Sequence, residues 1–214
     1  MKNNKIRIWT YILGIIPIVV LAFLYTHLPN QVPMHWGVDG VVDYNEKWQL
    51  WMLFSMGLLM AVLFDILPKI DPKKKNYEKF GKYYDLFAIG MVIFMGIMDI
   101  IVIIESFYPN SIPVGRIVVI LVGILFILLG NIMPKVKTNF YMGIRTPWTI
   151  SNVDVWNRVH RLGGKMMFVM GILVMASGFW MNDRITMGII IAGAACITIV
   201  PLVMSYIWYR KLEK

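Results

Sequence analysis

Charged residues are scarce in this chain of 214 residues, at 15%, whereas a soluble domain carries roughly a quarter. Hydrophobic residues make up 58% of the sequence, and the mean hydropathy is +0.66. These values exclude an ordinary soluble domain and favour a lipid-embedded protein. The net charge of +9 is compatible with nucleic acid or with a membrane surface as partner. Because the basic residues lie between apolar segments, we expect contact with membrane lipid and no nucleic acid partner.

Cysteine is nearly absent, since Cys196 is the only one and lies within an apolar segment. A single cysteine excludes an intramolecular disulfide framework and a CxxC metal or redox pair. We expect it to be an inert packing residue. The sequence also lacks GxSxG, HExxH and glycine-rich phosphate-binding motifs. We therefore predict no enzymatic activity and no cofactor.

Six apolar segments are long enough to cross a bilayer, which takes about 20 helical residues. They are residues 8–26, 49–67, 86–106, 115–133, 166–182 and 186–208. We predict an all-α fold, a polytopic membrane protein with a bundle of six transmembrane helices. Three regions are expected: 1–67 with two helices, 68–114 with a basic loop and the third helix, and 115–214 with the last three.

Lysine and arginine predict the orientation of these helices. The connecting segments on one side hold 18 of them, and those on the other side hold three. Because basic loops stay in the cytoplasm, we predict a multi-pass protein of the bacterial cell membrane with both termini cytoplasmic. The basic start followed by an apolar segment also suggests a signal peptide, but no small-residue cleavage site follows, so we expect a retained first helix.

The predicted extracytoplasmic loop, residues 28–48, is rich in proline, glycine and acidic residues. We predict a compact extended-and-turn loop, which is either a binding surface or a connector whose two tryptophans pack on the membrane surface. A metal site or a membrane enzyme centre at His35, Asp39 and Asp43 is the other possibility. Since no second imidazole or cysteine lies at a ligand spacing, we predict no metal.

The predicted cytoplasmic loop, residues 134–165, contains a helix signal. Ser151 and Asp154 have capping-box spacing and predict a short amphipathic helix over 152–162 at the membrane interface, ended by Gly163-Gly164. Four groups of this loop could bind anionic lipid head groups or a partner: Arg145, Arg158, His160 and Arg161. Generic attraction of basic residues to the inner leaflet is the alternative.

Two features within the membrane need explanation. A carboxyl at the depth of Asp99 costs about 2.5–3.5 kcal/mol on insertion scales, so it must face protein or water. With Asn131 at the end of the fourth segment, Asp99 supports an alternative function as a small transporter or ion-coupled permease, or it is a structural residue. The segments GILFILLG (123–130) and GILVMASG (171–178) each place two glycines seven apart on one helix face, which lets helix backbones approach closely.

The run GNIMPKVKTNFYMGIRTPWTISNVDVWNRVHRLGGK (130–165) resembles the signature of the SdpI family of bacterial membrane immunity proteins. In that family a GN…P…N…GIRTPWT…VW…H…G pattern marks the C-terminal half. The outer loop is similar to a short motif of proline, His-Trp, Gly, Asp and Lys that commonly precedes this signature. The resemblance covers most of the chain, and the heptapeptide GIRTPWT is its most specific part.

This resemblance implies protection of the membrane against a secreted antimicrobial peptide toxin, together with signalling through a cytoplasmic repressor held at the membrane. The implied partners are therefore membrane lipid, a peptide toxin and that repressor, while the oligomeric state stays open. The outer binding residues that it implies are Pro29, Pro33, His35, Trp36, Gly40, Asp43 and Lys47. The cytoplasmic ones are Gly130, Asn131, Pro134, Asn139, Gly143, Arg145, Thr146, Pro147, Trp148, Thr149, Trp156, His160 and Gly164. We expect Trp36, Asp39, Asp43 and Glu46 to contact the toxin, and Arg145 and Trp148 to organise the cytoplasmic loop.

Overall fold

The computed structural model describes residues 3–37, 40–180 and 183–212. Within these residues, six helices are long and apolar enough to cross a membrane. They are α1 (Asn4–Leu24), α2 (Leu50–Ile70), α3 (Tyr77–Phe107), α4 (Val114–Ile132), α6 (Val153–Trp180) and α7 (Asp183–Leu212), with a short helix α5 (Pro147–Ser151) between α4 and α6. The predicted all-α bundle of six transmembrane helices is confirmed.

The connection between α1 and α2 is a β-hairpin, which the sequence did not predict. Strand β1 (Gln31–Trp36) pairs antiparallel with strand β2 (Val42–Glu46), and the register shifts between Pro33 and His35. Alternation of buried and exposed side chains is weak, because β2 is almost wholly exposed, and this hid the strands from a periodicity argument. We call this side of the bundle the hairpin end.

The opposite side, which we call the basic end, holds the α2–α3 connection and residues 133–152. Carboxylates join the first three helices there. Asp85 of α3 accepts a hydrogen bond from the backbone N–H of Asn3, the residue that caps α1 (2.8 Å). Asp65 of α2 pairs with Lys69 (3.0 Å) and with Arg7 of α1 (3.9 Å). Both contacts fix the start of α1 beside α2 and α3.

Glycines allow close packing of α4 and α6, as their spacing predicts. A Cβ on Gly123 would lie 2.8 Å from the carbonyl oxygen of Gly171, and one on Gly130 would lie 2.7 Å from that of Gly164. Gly178 continues the same line against the start of α4. The two similar segments therefore pack against each other: Gly123, Gly130 and Gly171 admit the backbone of the other helix, and Gly178 faces the side chains of Val119 and Ile120.

The predicted interfacial helix over 152–162 is wrong. Residues from Val153 onwards belong to α6, which continues through Gly163-Gly164 to Trp180. The helix continues through the two glycines, whose missing side chains leave space for Ile144 and Pro134. The predicted capping box is also wrong, since the side chain of Asn152, and not of Ser151, accepts from the backbone of Asp154 (2.8 Å) and Val155 (3.1 Å).

Candidate functional sites at the two ends of the bundle

The hairpin presents one buried and one exposed set of predicted binding residues. Pro33 is buried with its neighbour Val32, which is fully enclosed by the helices. His35 and Asp43 are exposed and lie opposite each other across the two strands. Gly40 has a φ of +81°, a left-handed conformation that favours glycine in the turn. Pro29 is exposed before β1, and Asp39 lies outside the described residues.

Lys47 anchors the hairpin and does not point away from the protein. Its ammonium group donates to the carbonyl oxygens of Tyr25 (3.3 Å) and Leu28 (3.2 Å), which follow the end of α1. The same group lies 5.0 Å from the centre of the Tyr25 ring, within the range of a cation–π contact. A cation at a helix C-terminus also complements the helix dipole. The geometry therefore gives Lys47 a structural role at the base of the hairpin.

Trp36 is half-buried and packs against the apolar cluster at the hairpin end. It also borders a cavity of about 400 Å³, in which β1 meets the hairpin-end parts of α3, α4 and α7. The polar residues of its lining are His35, Asp183 and Thr186. At this cavity the hairpin, which carries the first of the two family-like motifs, contacts helices of the C-terminal half, which carries the second.

At the basic end, the side chain of Asn139 holds the loop after α4 in shape. Its amide nitrogen donates to the carbonyls of Lys137 (2.8 Å) and Met142 (2.9 Å). Its oxygen accepts from the backbone N–H groups of Tyr141 (2.9 Å) and Met142 (2.6 Å), and the hydroxyl oxygen of Tyr77 lies 3.2 Å from it. This side chain is buried, so its role is to satisfy backbone groups and not to bind a partner.

Asp71, which no motif indicated, connects this loop to the α2–α3 connection. Its carboxylate accepts from the backbone N–H of Lys73 (2.7 Å), from that of Phe140 (2.9 Å), and from the hydroxyl of Tyr77 (3.0 Å). The Asp-Pro pair at the end of an apolar helix signals a turn. It gives no sign of a partner 69 residues further along the chain.

Trp156 and His160 form a fully buried stack beneath the GIRTPWT segment, with ring centres 3.9 Å apart. The indole N–H of Trp156 donates to the carbonyl of Val136 (2.9 Å). His160 contacts the carbonyl of Trp156 through Nδ1 (2.8 Å) and the backbone N–H of Ile144 through Nε2 (3.1 Å). Since a carbonyl only accepts and an N–H only donates, Nδ1 carries the proton. His160 is therefore not a surface group for lipid, and that prediction is wrong.

Helix α5 is capped by a reciprocal pair of threonines. The hydroxyl of Thr146 accepts from the backbone N–H of Thr149 (3.1 Å), and the hydroxyl of Thr149 accepts from that of Thr146 (2.8 Å). Thr146 also donates to the hydroxyl of Ser205 on α7 (3.0 Å). Trp148 packs edge-on against Tyr206, with ring centres 5.2 Å apart. The motif thus fixes α5 onto α7.

Exposed cations remain available at this end. Arg145 is exposed, and its guanidinium donates to the carbonyl of Phe140. Pro147, the first residue of α5, is exposed beside it, and so are Arg158 and Arg161 on α6. These arginines are the members of the predicted basic set that a lipid head group or a protein could reach.

Pro134 and Gly164 pack together, because a Cβ on Gly164 would lie 2.8 Å from the proline ring. Asn131 is exposed, and its amide donates to the carbonyl of Ile127 one turn earlier (2.9 Å). It does not line the cleft between α1 and α3, which contains Asp99. The pair of polar residues expected of a permease is therefore not brought together.

Glu105 lies near the hairpin end of α3, just before its connection to α4. Its carboxylate accepts from the backbone N–H groups of Asn110 (2.9 Å) and Ile112 (3.0 Å), and from the hydroxyl of Ser111 (3.2 Å). It thereby shapes the α3–α4 connection.

The part of the chain that the structure describes contains no group of three histidine, cysteine or acidic side chains able to hold a metal.

The fold and these two ends define a multi-pass protein of the cell membrane. Residues 135–205 match the SdpI/YfhL protein family, and residues 12–64 match a domain of unknown function (DUF1648). The Immunity protein SdpI of Bacillus subtilis (strain 168) is 26% identical over 213 residues, which cover 100% of this chain and 99% of that protein. No solved structure matches the chain. These findings support the resemblance to the SdpI family drawn from the two loops: the family model matches residues 135–205, and the similarity to the Bacillus subtilis protein spans the chain.

Proposed function

We propose that this chain is a non-enzymatic immunity protein that protects the bacterial cell membrane against a secreted peptide toxin. The end-to-end similarity to the Bacillus subtilis immunity protein carries the proposal, since each protein covers the other almost completely. Both the hairpin and the GIRTPWT segment lie within this similarity. The geometry adds a β-hairpin with an exposed strand at one end of the bundle and a loop held by many hydrogen bonds at the other.

The toxin would contact the exposed face of the hairpin, where His35 and Asp43 face each other across the strands. Glu46 is exposed three residues further along β2 and accepts from the indole N–H of Trp48 (3.0 Å). Buried Pro33 attaches this surface to the bundle, while Trp36 packs against the bundle and keeps part of its ring exposed beside the cavity, where the toxin would contact it. Lys47 has the same positioning role through its bonds to the end of α1.

The basic end would report binding to the cytoplasm. Arg145 and Trp148 lie on the segment that α7 contacts, and Arg158 and Arg161 expose positive charge beside it. A repressor held at the membrane would dock on this exposed set. The buried members of the motif (Asn139, Trp156 and His160) support the surface from beneath.

The test is survival of a toxin-sensitive bacterium that expresses the chain. Cells are challenged with purified secreted peptide toxins of spore-forming bacteria while the membrane potential is followed with a fluorescent dye. We expect retained potential for the natural chain and reduced protection for His35→Ala and Asp43→Asn. Lys75→Ala, an exposed change at the basic end away from the hairpin, is the control and should protect normally.

Expression at equal levels in the membrane must be verified for each variant. The membrane potential could collapse equally in cells with the natural chain and in cells without it. That result would contradict an immunity function against these toxins. Full protection by both hairpin variants would keep immunity but remove the hairpin face from the mechanism.

A further inference from the structure

A cleft of about 360 Å³ opens between α1 and α3 within the membrane-spanning part of the bundle. Its volume falls in the range of small-molecule pockets. The walls are aliphatic, with Leu13, Ile16 and Val20 from α1 facing Ile93, Ile97 and Ile100 from α3. Such walls suit an alkyl chain, whether it belongs to a lipid or to another ligand.

The cleft also contains one carboxyl group. Asp99 lines it, is only 3% exposed, and its Oδ2 has no hydrogen-bond partner. The residue lies inside the apolar segment 86–106, seven residues before its end, so water at the nearer surface is about 10 Å away along the helix. Buried polar groups are nearly always hydrogen-bonded, and an unpartnered carboxyl facing a cleft indicates a missing donor.

A second acceptor lies on the opposite wall. Pro17 is inside α1 and has no N–H, so the carbonyl of Leu13 loses its helical donor. Both residues line the cleft. On α3, a Cβ at Gly96 would meet nothing within 4 Å, so this glycine leaves the space beside Asp99 open.

The polar groups of the cleft accept hydrogen bonds, and one of them is acidic. A complementary ligand therefore has a positively charged donor and an apolar body. We propose that this cleft binds an amphiphilic primary amine, a single alkyl chain that ends in an ammonium group. The ammonium pairs with Asp99 and reaches the Leu13 carbonyl, while the chain lies along the isoleucine and valine walls. This site is separate from the hairpin, so the proposal does not depend on the immunity function.

The test uses the full chain in phosphatidylcholine nanodiscs and two probes of equal chain length. Dodecylammonium carries the charge, and dodecanol is its neutral counterpart. Calorimetric titration should show saturable binding of dodecylammonium at one site per chain. A separate thermal unfolding scan should show a higher unfolding temperature when dodecylammonium is present. Dodecanol should show only the partition into the bilayer that empty nanodiscs also show.

Two variants examine the charge and the space separately. Asp99→Asn should weaken amine binding by ~30-fold or more, as is usual when one member of a desolvated charge pair is removed. Gly96→Leu should block the cleft, whereas Gly188→Leu on α7, where a Cβ also meets nothing within 4 Å, is the control and should bind normally.

Equal binding of the amine by Asp99→Asn and by the natural chain would overturn the proposal. Equal saturable binding of dodecanol would do the same, because either result assigns the affinity to the apolar walls alone. If Asp99→Asn does not reach the membrane folded, Gly96→Leu decides: retained amine binding in that variant refutes the cleft as the site.

Discussion

Gly143 lies directly against His160: a Cβ at this glycine would come 2.2 Å from the imidazole Nε2. The glycine also has a φ of +109°, in the left-handed region. Its lack of a side chain is what brings the next residue, Ile144, close enough to donate its N–H to the buried ring. The Gly-Ile pair of the GIRTPWT motif is thus explained by one hydrogen bond.

Gly143→Ala should therefore destabilise the protein by about 2 kcal/mol or more, since it adds both backbone strain and a clash in a buried stack. Thermal unfolding in detergent, followed by tryptophan fluorescence, measures the loss. Gly188→Ala, at an open position of α7 without positive φ, should change the unfolding temperature little. Equal stability of the two variants would contradict the role given to Gly143.

Asn139→Ala should cost a comparable free energy, about 2–4 kcal/mol, because several buried backbone groups lose their partner at once. Asn131→Ala is the matched control: that side chain is exposed and only bonds back to its own helix, so the change should stay within about 0.5 kcal/mol. Urea titration of both variants in the same detergent compares them. A small effect at Asn139 would show that water replaces its bonds.

Lys47→Met should loosen the hairpin and leave the helices intact. The variant loses the ammonium bonds to the carbonyls after α1 and keeps most of the apolar stem. Limited proteolysis and amide hydrogen exchange of residues 28–48 should both accelerate, and protection against toxin should fall. Lys75→Met, an exposed lysine at the basic end, should leave both readouts unchanged.

Gly171→Val should separate α4 from α6. Its branched side chain would start 2.6 Å from the Gly123 carbonyl oxygen, and neither backbone can move without opening the bundle. We expect loss of most folded protein from the membrane fraction. Gly188→Val, with the same substitution on a lipid-exposed helix position, should accumulate normally, and size-exclusion profiles distinguish the two.

Orientation is a separate prediction, and single cysteines test it in a Cys196→Ala background. Asn45→Cys lies on the hairpin and Lys137→Cys lies at the basic end, and both side chains are exposed. A membrane-impermeant maleimide applied to intact cells should label the first and not the second until the membrane is permeabilised. The opposite pattern would reverse the orientation predicted from the lysine and arginine count.

The long helices and the glycine packing could be predicted from the sequence, because hydropathy and small-residue spacing act locally along one helix. The hairpin could not, since its strands have little buried side-chain area and depend on the bundle for support. The roles of His160 and Lys47 were also inaccessible. Their residue types suggest surface chemistry, and only the fold shows that one ring is enclosed and that one ammonium is committed to carbonyls.

Asp71 illustrates the remaining limit. Its bond to the N–H of Phe140 joins two segments 69 residues apart, and a single sequence contains no signal for such a pairing. The same holds for Thr146 and Ser205, whose hydroxyls meet across α5 and α7. These connections determine how the basic end is built, yet each partner alone is an unremarkable polar residue.

Helix α7 touches both ends of the bundle: Asp183 and Thr186 border the outer cavity beside the hairpin, and Ser205 bonds to α5. The distance along the helix from residue 183 to residue 205 is about 33 Å at 1.5 Å per residue. Pro201 removes one backbone hydrogen bond four residues before Ser205, within a helix that continues to Leu212. One continuous helix therefore links the cavity at the hairpin to the threonine cap at the basic end.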